Sequence, residues 1–180
     1  GFFQGLLAPR DDTSERPPSQ PYPYYLASPV DGDPADALGD VGAWLAEWKW
    51  DGIRGQLIRR AGEVFLWSRG EELVTERFPE IAQAAMALPD GLVLDGEILG
   101  VERLAGPAIQ PLPFAQLQRR LNRKRVGKKL LREVPVGFVA YDLMEQGGAD
   151  VRAEPQAARR ARLEGALAAP PEGLFLSPIV

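Results

Sequence analysis

The segment Gly91-Leu92-Val93-Leu94-Asp95-Gly96-Glu97-Ile98-Leu99 most constrains what this chain can fold into. Its apolar run reads as a buried strand, yet two carboxylates sit within it. An isolated buried charge is costly, so a carboxylate on such a strand needs a partner or a metal ion. Any fold of this chain has to bury the strand and still serve Asp95 and Glu97.

Further strands precede and follow it. Gln56-Leu57-Ile58 and Val64-Phe65-Leu66-Trp67 flank a turn at Ala61-Gly62-Glu63 and read as a hairpin. Val136 to Leu143 is another apolar strand, and Leu174-Phe175-Leu176 begins a last one. Helical signals alternate with these. Asp36 to Leu45 reads as a short helix ending near Trp44. Glu76 to Leu88 spaces Phe78, Ile81, Ala85 and Leu88 helically, with Pro79 tolerable in the first turn. Phe114 to Leu131 and Ala157 to Leu167 are the remaining helices. The expected fold class is α+β: twisted antiparallel sheets with helices packed outside.

Residues 1–20 open with the apolar cluster Phe2, Phe3, Leu6 and Leu7 and then turn polar. With no initiator Met, they are read as a linker or the remnant of an upstream domain. Pro21 to Ala27 follows as an extended, aromatic lead-in. No internal repeat interrupts the pattern.

The 180 residues are 45% hydrophobic and 26% charged, as in an ordinary globular protein. No apolar run is long enough to span a bilayer, and no membrane partner is expected. Absence of cysteine removes disulfides, thiolate metal sites and Cys nucleophiles; absence of histidine removes the commonest general base. Lysine, arginine, carboxylates and a bound metal remain, an inventory suited to phosphoryl transfer. The net charge of -4 is unevenly placed. Asp31, Asp33, Asp36 and Asp40 precede Lys49, whereas Arg119, Arg120, Arg123, Lys124, Arg125, Lys128, Lys129 and Arg132 form a block without an acidic residue. That block reads as a solvated positive face or as a surface for phosphates.

Glu47-Trp48-Lys49-Trp50-Asp51-Gly52-Ile53-Arg54 offers an amine nucleophile between carboxylates, then a glycine and a guanidinium. Such a lysine can attack phosphorus while the arginine holds a sugar or phosphate. Asp51 favours the ammonium form, so its role is to orient; Gly52 supplies a tight turn. Lys-x-Asp-Gly alone fits a surface lysine beside Asp51 better, and Arg54 narrows the pattern. Arg69, in Trp67-Ser68-Arg69-Gly70, reads alone as an exposed turn arginine, but the hairpin returns it toward the rim that holds Lys49. Tyr141, in Phe138-Val139-Ala140-Tyr141-Asp142-Leu143, reads alone as a core aromatic.

In order and spacing these four stretches resemble motifs I, Ia, III and IIIa of the covalent nucleotidyltransferases, which comprise ATP-dependent DNA ligases, RNA ligases and mRNA-capping enzymes. Glu-Trp-Lys-Trp-Asp-Gly-Ile-Arg and Trp-Ser-Arg-Gly-Glu-Glu look most like bacterial ATP-dependent DNA ligases. The resemblance covers Pro21 to Val180 and implies the N-terminal part of an adenylation domain, ATP-grasp-like in arrangement. It implies Lys49 as the nucleophile that takes AMP from ATP, and Glu47 and Trp48 near the adenine. Arg54 would lie near the ribose and phosphate, and Tyr141 would stack on the base. Glu97 would serve the ribose hydroxyl or Mg2+, with Asp95 structural. Arg69 would contact ribose and DNA, joined in DNA binding by Arg119, Arg120, Arg123 and Lys124.

The family's motif IV and motif V strands would follow Ser177-Pro178-Ile179-Val180, and an OB-fold domain after them. Their absence from the chain leads to the expectation of weak or no self-adenylylation, and of an open sheet edge that pairs with a second copy. The implied partner is nicked duplex DNA in the bacterial cytoplasm, at the nucleoid. A capping guanylyltransferase, an RNA ligase or a catalytically inactive nucleotide- or DNA-binding fragment are the alternatives.

Overall fold

The computed structural model describes residues 17–104, 106, 108–121, 123 and 126–180. Six strands form one sheet: β1 (Ile53–Arg60), β2 (Glu63–Ser68), β3 (Leu92–Gly100), β4 (Val136–Gln146), β5 (Ala149–Asp150) and β6 (Leu174–Leu176). The order is β2-β1-β3-β4-β5, with β6 pairing β4 as well. Every pairing is antiparallel except β4 with β6. The α-helices among the described residues are α1 (Pro34–Leu38), α2 (Pro79–Ala85), α3 (Phe114–Leu121), α4 (Lys128–Glu133) and α5 (Gln156–Ala166). None of the described helices is long and apolar enough to cross a membrane.

Register explains how one sheet serves both a core and a polar strip. Side chains alternate between faces along a strand. One face presents Leu57, Leu94, Ile98, Phe138 and Leu174, which pack with Phe78 and Ile81 of the α2 region, Leu117 of α3 and Leu163 of α5. The other face carries two smaller apolar clusters. Tyr22, Ile58, Val93 and Met144 form one; Leu99, Val101, Val139 and Phe175 form the other. Between them Arg54 stands opposite Glu97, and Gln56 opposite Asp95, in the β1–β3 ladder.

The hairpin forms as its residues predict. Ala61 and Gly62 take φ of 50° and 78°, a two-residue turn whose twist suits paired strands. The Asp90 side chain accepts both of their backbone N–H groups, at 3.1 and 3.0 Å. The aromatic lead-in is fixed by Gln56, whose buried amide accepts from the Tyr22 N–H at 2.8 Å and donates to the Tyr22 carbonyl at 2.6 Å.

Three expected helices come out shorter. Glu76 to Leu88 reduces to α2, preceded by a 3-10 turn at Thr75–Arg77. Asp36 to Leu45 contains only α1 and a 3-10 turn at Val41–Ala43. Phe114 to Leu131 does not form one helix: α3 stops at Leu121 and α4 starts at Lys128, after Gly127 in extended conformation. Glycine is a poor helix former, and uncompensated cations one turn apart repel.

Candidate active site

The Lys49 segment is laid against the residues that follow β6. Glu47 makes an antiparallel bridge to Ile179, and Val180 N–H donates to the Ala46 carbonyl at 2.9 Å. The Trp50 indole N–H donates to Ser177 Oγ at 2.9 Å, and Ser177 N–H donates to the Ala140 carbonyl of β4 at 2.8 Å. Lys49, between these anchors, is exposed on the wall of a cleft of about 610 Å³, within the usual size of a small-ligand site.

Glu47, Trp48, Lys49, Arg54, Arg69, Glu97 and Tyr141 all line this cleft. The sequence separates them by up to 94 positions, and the sheet brings them together: Arg54 on β1, Glu97 on β3, Tyr141 on β4, and Arg69 just past β2. Arg69 is tied in by its N–H, which donates to the Arg54 carbonyl at 2.9 Å. Tyr141 owes its placement to a β-bulge. The pairing passes from Asp95 with Asp142 to Gly96 with Ala140, so Tyr141 is the extra residue in β4. Bulges of this kind re-aim side chains beside functional sites.

Arg54 is held rather than free. Its Nε and Nη2 donate to the two Asp95 carboxylate oxygens at 3.2 and 2.7 Å, and its guanidinium lies 5.0 Å from the Tyr24 ring centre and 5.9 Å from that of Tyr141. Burial opposes the Arg54 charge, but the hydrogen bond and charge of Asp95 outweigh it and hold the guanidinium protonated. Asp95, 1% exposed, thus has the partner that a buried carboxylate requires.

Glu97 differs. Burial pushes its carboxyl up to about 7, opposed by the Gly52 N–H and Arg54 and reinforced by Asp95 and Asp51. Gly52 is therefore tied to Glu97. The chain bends at Gly52, where the sequence places a tight turn, and the glycine is required by close approach: a Cβ there would meet the Ile98 carbonyl oxygen at 2.3 Å. The glycine lets the Lys49 segment approach β3 closely.

Other lining residues carry no motif that singled them out. Tyr25, Leu26 and Ala27 form one wall, with Asp142, Gln156 and Arg159 at the back. Tyr25 OH donates to the Arg152 carbonyl at 2.7 Å, and Arg159 Nε and Nη2 each donate to Asp142 at 2.9 Å. The signal for them was present in the aromatic lead-in and in the arginines of the Arg- and Ala-rich helix α5.

The basic block does not form one surface. Arg120 is a correction to the sequence reading: it is fully buried and donates through both Nη atoms to Glu80 of α2, so it cannot reach a DNA phosphate. Arg119 is exposed and paired with Glu133 at 2.5 Å, and Arg123 is exposed. Lys124 and Arg125 lie outside the described residues. Among the described residues no cluster of three carboxylates could enclose a metal ion. Mg2+ needs no such cage: it keeps waters and is commonly held by one or two carboxylates plus substrate phosphates, a demand Glu97 fits.

Residues 24–177 match the family described as ATP dependent DNA ligase domain. A probable DNA ligase of Opitutus terrae is 44% identical over 139 residues, and DNA ligase C2 of Mycolicibacterium smegmatis is 42% identical over 134. Those matches cover 77% and 73% of this chain but only 13% and 36% of the relatives. A mycobacterial DNA ligase D complexed with ATP and MES superposes with a TM-score of 0.58 at 29% identity, covering 76% of this chain and 40% of that one. With the family's match running through the cleft walls from Tyr24 to Ser177, the chain belongs to the ATP-dependent DNA ligase domain family.

Proposed function

We propose that this chain carries the nucleotide-transfer site of an ATP-dependent DNA ligase, with Lys49 as the residue that takes AMP. One observation supports this most: Lys49 shares a single cleft with Glu47, Trp48, Arg54, Arg69, Glu97 and Tyr141. The Lys49 amine, once deprotonated, attacks the α-phosphorus of ATP; the bond to pyrophosphate breaks as the phosphoramidate forms. Tyr141 offers a ring face to the base, and Glu47 an acceptor for its amino group. Arg54, immobilised by Asp95, supplies fixed positive charge beside the sugar and phosphates. Magnesium held by Glu97 would neutralise charge on the triphosphate. AMP then passes to the 5′-phosphate of nicked duplex DNA, and the 3′-hydroxyl displaces it. Arg69 and Arg123 are the described cations we assign to the DNA backbone, in nucleoid DNA of a bacterial cytoplasm.

The test is incubation with ATP and magnesium, followed by intact mass measurement. A gain of one AMP that is lost in Lys49→Ala supports the assignment. An adduct that persists in that variant removes Lys49 from the role. GTP in place of ATP separates this reading from a guanylyltransferase.

A further inference from the structure

We propose that Arg160 is a positioning residue for base selection: it fixes the Glu47 carboxylate so that one oxygen faces the amino edge of a bound purine. This rests on reading the cleft as a nucleotide site, and it assigns a role to a residue outside the cleft lining.

Arg160 lies on α5 with its side chain 7% exposed. Its Nε donates to Glu164 Oε1 at 2.7 Å. Its Nη1 is buried without a hydrogen bond and points at Glu47 Oε1, 3.8 Å away. A buried guanidinium nitrogen lacking an acceptor is expensive, and with Nε taken by Glu164 the charge facing Nη1 is the Glu47 carboxylate. Among the described residues Glu47 has no other ion pair. Its backbone is fixed by the bridge to Ile179, so Arg160 acts on the remaining freedom, that of the side chain.

The neighbouring helix residue makes the division of labour plain. Arg159 donates to both oxygens of Asp142 and is occupied there. Consecutive arginines of α5 thus serve one cleft carboxylate each. Glu47 feels burial and the like charge of Asp142 from β4, which favour its protonated form, while Arg160 from α5 favours the ionised form. An ionised carboxylate is an acceptor only, suited to the exocyclic N–H of adenine and repelled by the C6 oxygen of guanine. Protonated, it can donate to that oxygen, and discrimination relaxes.

The experiment is equilibrium binding of ATP and of GTP by titration calorimetry, in wild type, Arg160→Met and Arg160→Lys, from pH 5.5 to 8. We expect Arg160→Met to weaken ATP about tenfold while GTP changes little, the order expected when one charge of a close pair is removed. The ATP preference should also fade toward low pH sooner than in wild type. Arg160→Lys should restore part of the preference. Should Arg160→Met not fold, Arg160→Lys is placed on a Glu47→Gln background, where the proposal expects no further change in ATP affinity. An unchanged ATP-to-GTP ratio in Arg160→Met, or an additive double variant, overturns the proposal and leaves the nucleotide site standing. Wild type that binds neither nucleotide removes the nucleotide reading itself.

Discussion

Glu97 shows how one residue of the cleft sets a pH dependence. Its carboxyl titrates near 4.5 when unperturbed and at about 7 in the folded chain, because burial outweighs the Gly52 N–H and Arg54. The folded state therefore holds the proton more tightly than the unfolded state. Its contribution is fully favourable below about 4.5 and is lost as pH rises through about 7. Glu97→Gln removes that loss, so the variant should gain stability relative to wild type between pH 4.5 and 7 and keep the gain above. Urea unfolding of both proteins at a series of pH values measures it; a difference that stays flat across the window refutes it. Gly52→Ala is a second residue-scale test. With a Cβ 2.3 Å from the Ile98 oxygen, β1 must shift from β3. We expect a loss of about 1–3 kcal/mol, the usual cost of overpacking, and weaker ATP binding as Glu97 loses the Gly52 N–H. Wild-type stability with intact binding would show that the approach is not tight. The sequence revealed that Gly52 matters but not why, since its neighbour is 46 positions away and enters only through the β1–β3 register.

Elements were legible where their pattern is local. Apolar runs and a turn place β2 and β3 within one residue at each end, while β1 extends to both sides of Gln56-Leu57-Ile58 and β4 runs three residues past Leu143; Ala157 to Leu167 coincides with α5 within one position. What failed was the basic stretch. On a helical projection Arg119, Arg120 and Arg123 look alike, yet Arg120 is buried against Glu80, a residue no local pattern links to it. Tertiary pairing decides which cations are surface. The prediction follows from that difference. Glu80→Ala leaves a fully buried guanidinium unpaired and should cost about 3–5 kcal/mol. Glu133→Ala, opposite the exposed Arg119, should cost less than about 1 kcal/mol. Chemical denaturation of the two variants separates them; equal losses would mean that the Arg120 pair is solvated after all.

At the scale of the whole molecule, a chain of net charge -4 must meet a polyanion through a minority of its surface. Arg69, Arg123 and Lys128 are exposed and make no ion pair among the described residues, whereas Lys129 and Arg119 share Glu133. Counterion release then fixes what binding should look like. If Arg69 and Arg123, the two assigned to the DNA backbone, each neutralise one phosphate, log affinity for nicked duplex falls against log salt with a slope of about -1.8. Replacing Arg123 with Ala should reduce the slope by about one unit without changing stability, because the side chain is solvated. Replacing Arg120 should do the reverse, lowering stability through Glu80 while the slope of whatever folded fraction remains is unaltered. Fluorescence anisotropy over a range of salt concentrations gives both slopes. A slope near zero in wild type would mean that this surface does not touch the backbone. A slope that drops on loss of Arg120 would place that residue back on the DNA face, against its burial here.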